Sequence, residues 1–239
     1  MDLNLINKNV FVTGSTKGIG FAIAKAFIDQ GCNVGINGRD KKHLDKAVTE
    51  LNNPRVLGFP GDVTNLEEAK GIYNSFIKSF NNIDILICNV GSGSSSEPGK
   101  EDSTDWNKML SINLFSATNI IEVFRKNLIN SKGVITCISS ICGIEVIPGA
   151  PVAYSASKSA LNSYIKCSAR PFGKSGVRIN GVAPGNILFK GSVWEKKIQE
   201  DPDGVKSMVD KEVPLGRLGS TEDISNLVLL LSSPLSKNI

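Results

Sequence analysis

Short runs of apolar residues alternate along this chain with longer stretches in which apolar residues recur every three or four positions. The runs near 8–13, 32–37, 55–59, 83–88, 133–138 and 177–183 have strand length and predict buried strands. The stretches near 18–30, 41–52, 65–79, 104–128, 152–172 and 221–232 predict helices. The first of these shows its stripe in Ile19, Ala22, Ile23, Ala26 and Phe27 and stops before Gly31. Strict alternation of strand and helix predicts an α/β fold, a doubly wound parallel sheet with helices on both faces. Between 187 and 212, Phe189 and Trp194 are mixed with many charges and no clean period emerges.

Composition narrows the picture mainly by exclusion. The 239 residues suit one large domain, 1–239, and no Pro-rich or Gly/Ser-rich linker divides them. The low-complexity patch Gly91–Ser96 is short enough to be a loop. A formal net charge of +4 without a basic run argues against a nucleic-acid partner. The five cysteines, Cys32, Cys88, Cys137, Cys142 and Cys167, include no C-x-x-C, and with His43 as the lone histidine they leave no metal set. They read as small buried hydrophobes in a reducing cytoplasm. The longest aliphatic run, Leu227 to Leu231, is far short of a membrane span, so no membrane partner, signal peptide or anchor is expected.

Two constellations carry chemistry. The first strand runs straight into Gly14-Ser15-Thr16-Lys17-Gly18-Ile19-Gly20, which opens the first helix. Glycines there let the backbone approach a pyrophosphate, and a helix N-terminus offers it free N–H groups. The spacing is G-x-x-x-G-x-G, distinct from the commoner G-x-G-x-x-G. The second is Tyr154-Ser155-Ala156-Ser157-Lys158, which puts a phenol and an ammonium on one helical face. A lysine there is expected to lower the tyrosine pKa and make a usable acid/base.

In order along nearly the whole chain, these and further motifs resemble the short-chain dehydrogenase/reductase family. Thr13 to Gly20 resembles its cofactor glycine motif, Asp62-Val63 its adenine contact, and Asn89-Val90-Gly91 the turn after its fourth strand. Asn113, Ser140, Tyr154 and Lys158 align with its catalytic tetrad. Arg178 to Gly185, with Pro184, Gly185 and then Ile187, resembles the segment that closes over the nicotinamide, and Pro214 to Arg217 the stretch before the last helix. The resemblance implies a Rossmann-like fold with a substrate lid at about 187–212. It also implies hydride exchange between NAD(P) and a small-molecule carbonyl or alcohol, and a homotetramer or homodimer built on the two long helices near 104–128 and 152–172. Family members continue into a final strand beyond the point where this chain stops at Ile239, so either the sequence is cut short or the sheet has six strands.

Within that resemblance, Ser140 would hold the carbonyl, Tyr154 would donate the proton, Lys158 would bind the nicotinamide ribose, and Asn113 would position Lys158. Departures are also plain. Tyr154 follows Ser140 by one residue more than is commonest, lengthening the loop from Ile144 to Pro151. Cys88 replaces an asparagine, and Phe189 stands where a threonine commonly meets the nicotinamide amide. Pro171 should end or kink the helix that carries Tyr154. Gly38 sits where NAD users place an acid, and Arg39 with Lys17 favours NADP (NADPH) over NAD. Asp40 reads as a helix N-cap. The branch of 3-oxoacyl-acyl-carrier-protein reductases leads for substrate. Sugars, sugar nucleotides, steroids and polyols stay open, as does a nucleotide-binding protein without turnover. A serine hydrolase on Ser139 or Ser140 lacks a suitable histidine.

Overall fold

The computed structural model describes residues 2–239. Its strands are β1 (Asn9–Val12), β2 (Asn33–Gly38), β3 (Val56–Pro60), β4 (Ile85–Cys88), β5 (Val134–Ile138) and β6 (Arg178–Val182), falling on the six predicted runs. All neighbours pair in parallel in the order β3-β2-β1-β4-β5-β6. The order reverses between β1 and β4, which makes the C-terminal ends of those two strands the natural crevice of the sheet.

The helices are α1 (Gly18–Asp29), α2 (Lys41–Leu51), α3 (Leu66–Phe80), α4 (Ser103–Leu110), α5 (Ser116–Ser131), α6 (Val152–Lys174), α7 (Val193–Glu200), α8 (Pro202–Glu212) and α9 (Thr221–Ser232). Strand alternation divides the core in two. Val10, Val12, Ile85 and Ile87 face α1, α2 and α9, whereas Phe11 and Leu86 face α3, α5 and α6. On the second side Phe11, Phe59, Phe76 and Phe124 form a ring cluster, with Phe11 centred 5.2 Å from Phe76 and 5.5 Å from Phe124.

Two expectations are modified. The long helix near 104–128 is interrupted by a π-helical turn, Ser111–Phe115, between α4 and α5. That wider turn sends Asn113 inward, fully buried. The helix carrying Tyr154 does not end at Pro171 but continues to Lys174. Pro171 lies in its last turn and forfeits one helical N–H bond there, but Phe172 anchors that turn in the core while its carbonyl accepts from the Ser175 and Val177 N–H groups. The aperiodic stretch contains α7 and α8; α7 buries none of its residues, so it carries no stripe to read.

Gly35 faces the ring cluster. A Cβ there would stand 2.8 Å from the Phe76 ring and 2.9 Å from those of Phe11 and Phe59. Gly35→Ala is therefore expected to destabilise the protein by about 1–3 kcal/mol, as overpacking does. A lower urea midpoint at unchanged slope is the result expected, and a parental midpoint would show that the rings yield freely.

Candidate active site

The residues that follow the strands converge on one edge. A cleft of about 580 Å³ runs along it from Gly14, Thr16, Lys17, Ile19 and Gly20, past Arg39, Asp62 and Val63, to Asn89, Gly91, Tyr154 and Lys158. The glycine loop is built for close approach. Gly14 and Gly18 both have φ of +59°, and a Cβ on Gly20 would stand on the Asn89 amide and the Gly14 carbonyl. Lys17 occupies the N-cap of α1 with no side-chain cap, so the first N–H groups of that helix have no local acceptor. This glycine cradle at a helix N-terminus fits a dinucleotide pyrophosphate.

Ser15 and Asn113 lie outside the open cleft, and each supports it from beneath. Ser15, fully buried, donates to the Val12 carbonyl (2.7 Å) and accepts from the Asn37 N–H (2.9 Å). Asn113 donates to the carbonyls of Ser92 (3.0 Å) and Met109 (3.1 Å) and accepts from the Ser92 N–H (3.0 Å). The Val63 side chain is in the core, and the Asn119 amide holds its carbonyl. Asp62 faces Arg39 at 3.5 Å across the outer mouth, and its other oxygen accepts from the Thr64 N–H and hydroxyl. Asp40 caps α2, accepting from the His43 N–H.

At the inner end, Lys158 is almost fully buried and its Nζ donates to the Ile138 carbonyl at 2.9 Å. Gly91 passes so close that a Cβ would lie 2.9 Å from Nζ and 3.1 Å from Asn113 Oδ1. Burial lowers the Lys158 pKa to about 8. Burial also raises the Tyr154 phenol above its usual value, against a smaller lowering by a hydrogen bond with Ser140. This corrects the expectation that Lys158 lowers Tyr154. Loss of water outweighs the hydrogen bond at the phenol, and Lys158 is not among the groups that shift it. Ser140 also accepts from the Cys142 N–H at 3.1 Å. Pro184 receives the Ile141 N–H on its carbonyl, while Gly185 and Ile187 lead away toward Gly219, whose backbone pairs with Ile187.

Other residues complete the lining of the cleft. Asn37 ties β2 to the Phe59 and Gly61 carbonyls, a link invisible without the register of β2 on β3. Ser92 and Gly93 pass over Tyr154. Phe189, noticed only as a departure, lays its ring on Gly18, where a Cβ would meet it at 2.6 Å. It separates the cleft from a second hollow between α1, α2 and α9.

Comparison with known proteins agrees with this geometry. A family model described as enoyl-(acyl carrier protein) reductase matches residues 14–239. A 3-oxoacyl-[acyl-carrier-protein] reductase FabG from Chlamydia trachomatis is 31% identical over 96% of this chain and 91% of its own length. L-Sorbose reductase from Gluconobacter frateurii, solved with NADPH and L-sorbose, superposes with a TM-score of 0.92 at 27% identity, covering 100% of this chain and 94% of that one. A 7α-hydroxysteroid dehydrogenase complexed with NADH and a 7-oxo bile acid gives 0.90 at 25% identity, over 100% and 92%.

The buried ammonium has a stability signature. Its pKa is lower folded (about 8) than the ordinary 10.5, so the unfolded chain binds more protons across that window and stability rises with pH through it. Below the window the cost of burying the charge is complete, and above it the cost is gone. Lys158→Met should gain on the parent at about pH 7.5, and that advantage should shrink by up to about 3 kcal/mol toward pH 10. Urea unfolding of both proteins at both pH values measures it. An advantage independent of pH would mean Lys158 is not buried as an ammonium.

Proposed function

The chain belongs to the short-chain dehydrogenase/reductase family, oxidoreductases that act on CH–OH and C=O groups with NAD(P), and from that premise we propose that it is an NADP(H)-dependent carbonyl reductase in which Tyr154 is the proton donor. The observation that carries this reading is the single cleft joining the glycine cradle to Tyr154 and Lys158. The nicotinamide supplies the hydride when bound. Gly14, Gly18 and Ile19 would receive the pyrophosphate at the N-terminus of α1, Asp62 and Val63 the adenine, and Asn89, Gly91, Pro184, Gly185 and Ile187 the nicotinamide end.

The chain's own residues account for the proton. Ser140 lies near enough to Tyr154 to act on its pKa, and a carbonyl oxygen entering there would be held by the serine hydroxyl while the phenol donates to it. The raised phenol stays protonated at neutral pH and so has a proton to give to a carbonyl oxygen. Lys158, held by Ile138 and approached closely by Gly91, would present its ammonium to the phenolate left behind and to a ribose hydroxyl. Asn113 fixes that corner through Ser92.

Arg39 and Lys17 at the outer mouth support NADPH. Gly38 leaves no acid to meet a ribose 2′-hydroxyl, and a Cβ there would strike Thr16 at 2.5 Å. A 3-oxoacyl thioester leads as substrate through the relatives of that name, with a keto-sugar next, suited to the polar segment Ser92–Asp102. Phe115 in the π-helical turn and Ile129 in α5, apolar and exposed at 47% and 36%, support assembly into a homotetramer or homodimer through the long helical segment near 104–128. A cytoplasmic setting suits the five free thiols.

Tyr154→Phe keeps the ring and removes only the phenolic oxygen. Turnover with NADPH on acetoacetyl thioesters, keto-sugars or simple ketones should fall by at least about 100-fold, with nucleotide affinity retained. Near-parental turnover would show that Tyr154 is not the acid.

For the cofactor, Arg39→Asp should weaken NADPH by about 10- to 100-fold and spare NADH, since charge-assisted bonds of this kind are worth about 1.5–3 kcal/mol. Titration calorimetry at two ionic strengths decides it, because the preference should shrink as salt rises. Equal affinity of the parent for both nucleotides would overturn the assignment.

A further inference from the structure

The helix that carries Tyr154 starts without a cap of its own. Its N-cap position is Pro151, whose side chain has nothing to accept the first N–H groups. The missing acceptor comes from 51 positions earlier in the chain. Glu101 Oε1 accepts from the Val152 N–H and, at 3.2 Å, from the Ala153 N–H, while Oε2 accepts from the Gly99 N–H at 2.7 Å. A carboxylate suits that place, since the helix dipole presents its positive end there.

Glu101 closes the segment 91–102, which leaves β4 and crosses the face of Tyr154. A Cβ on Gly93 would lie 3.7 Å from the Tyr154 ring. The segment is pinned at its start by Ser92, bonded both ways to Asn113, and along its length by Ser96, bonded to Asp105 of α4. Among the described residues, its hydrogen bonds to α6 are those of Glu101.

We propose that Glu101 is a positioning residue: its carboxylate latches the 91–102 strap onto the first turn of α6, so that one side chain sets both the cover over Tyr154 and the placement of the phenol. This rests on the reading of Tyr154 as proton donor only for its kinetic consequence, because the latch itself is a matter of structure. Unlatching frees two N–H groups at the helix end and releases the strap from the substrate side of the cleft.

Amide hydrogen exchange on the full chain tests the latch without any substrate. In Glu101→Ala, peptides covering 91–102 and 152–158 should both exchange about tenfold faster, as expected for a lost cap, with β1 and β4 peptides unchanged. Glu101→Gln keeps an acceptor oxygen and should recover most of the protection. A merely structural cap is separated by adding Pro151→Ser to Glu101→Ala, because a hydroxyl at that position caps the helix locally. Protection should then return to 152–158 while 91–102 stays fast. With NADPH and a reducible carbonyl, kcat/KM of that double variant should stay about tenfold low, chiefly through KM, at parental cofactor affinity. Parental exchange of 91–102 in Glu101→Ala would overturn the proposal, as would recovery of both peptides and of kcat/KM by the local cap. Were Tyr154→Phe active, the chemical reading would fall, yet the exchange data would still decide the latch.

Discussion

The side-chain amide of Asn89 sets the dimensions of the whole site. It donates to the carbonyls of Thr13 (3.1 Å) and Gly14 (2.9 Å), and the Asn89 N–H donates to the Thr13 hydroxyl, which in turn reaches the Ile87 carbonyl. Those bonds clasp the ends of β1 and β4, the two strands at which the sheet order reverses. A parallel sheet brings its strand ends to one edge but does not fix how the loops leave it. Here the glycine loop and the strap over Tyr154 depart from a single hydrogen-bonded knot. Gly20 is part of the same constraint, since any side chain there would displace the Asn89 amide.

Behind that knot the electrostatics are those of a site short of negative charge. Lys158 and Tyr154 are both shifted first by burial, one downward and the other upward, so each leans toward its neutral form. Coulomb attraction between them enters only when one is charged and the other follows. An anion entering the cleft would raise Lys158 and hold it as the ammonium, which favours a phenolate beside it. Gly91 matters here, because a larger residue would push Nζ off the Ile138 carbonyl.

What was legible in the sequence is what depends on near neighbours. Each strand carries its own apolar run, the glycine loop its own spacing, and Asp40 its cap at the start of α2. The convergence of Tyr154, Lys158, Asn89 and Gly91 was legible too, through a resemblance that spans the chain. The π-helical turn at Ser111–Phe115 was not, because what accompanies it is distant in sequence: the buried Asn113 bonds with Ser92. The downward shift assigned to Tyr154 failed for a related reason. Spacing along a helix shows that two side chains share a face, whereas the pKa depends on how much water both lose and on which carbonyl takes the ammonium.

The same distinction bears on where selectivity resides. The glycine loop, the Asn89 clasp and Lys158 are held by backbone and by buried polar bonds, which leaves them little freedom to vary from one substrate to another. The segments facing them are held far more lightly. The strap is secured by Ser92, Ser96 and Glu101, and Phe189 rests a single ring on Gly18. A threonine at position 189 would offer a hydroxyl to the cleft; the ring offers only apolar surface and divides the cleft from the neighbouring hollow. The strap and Phe189 are therefore the parts of the cleft lining least fixed by the sheet edge, while the residues beneath them are held by it.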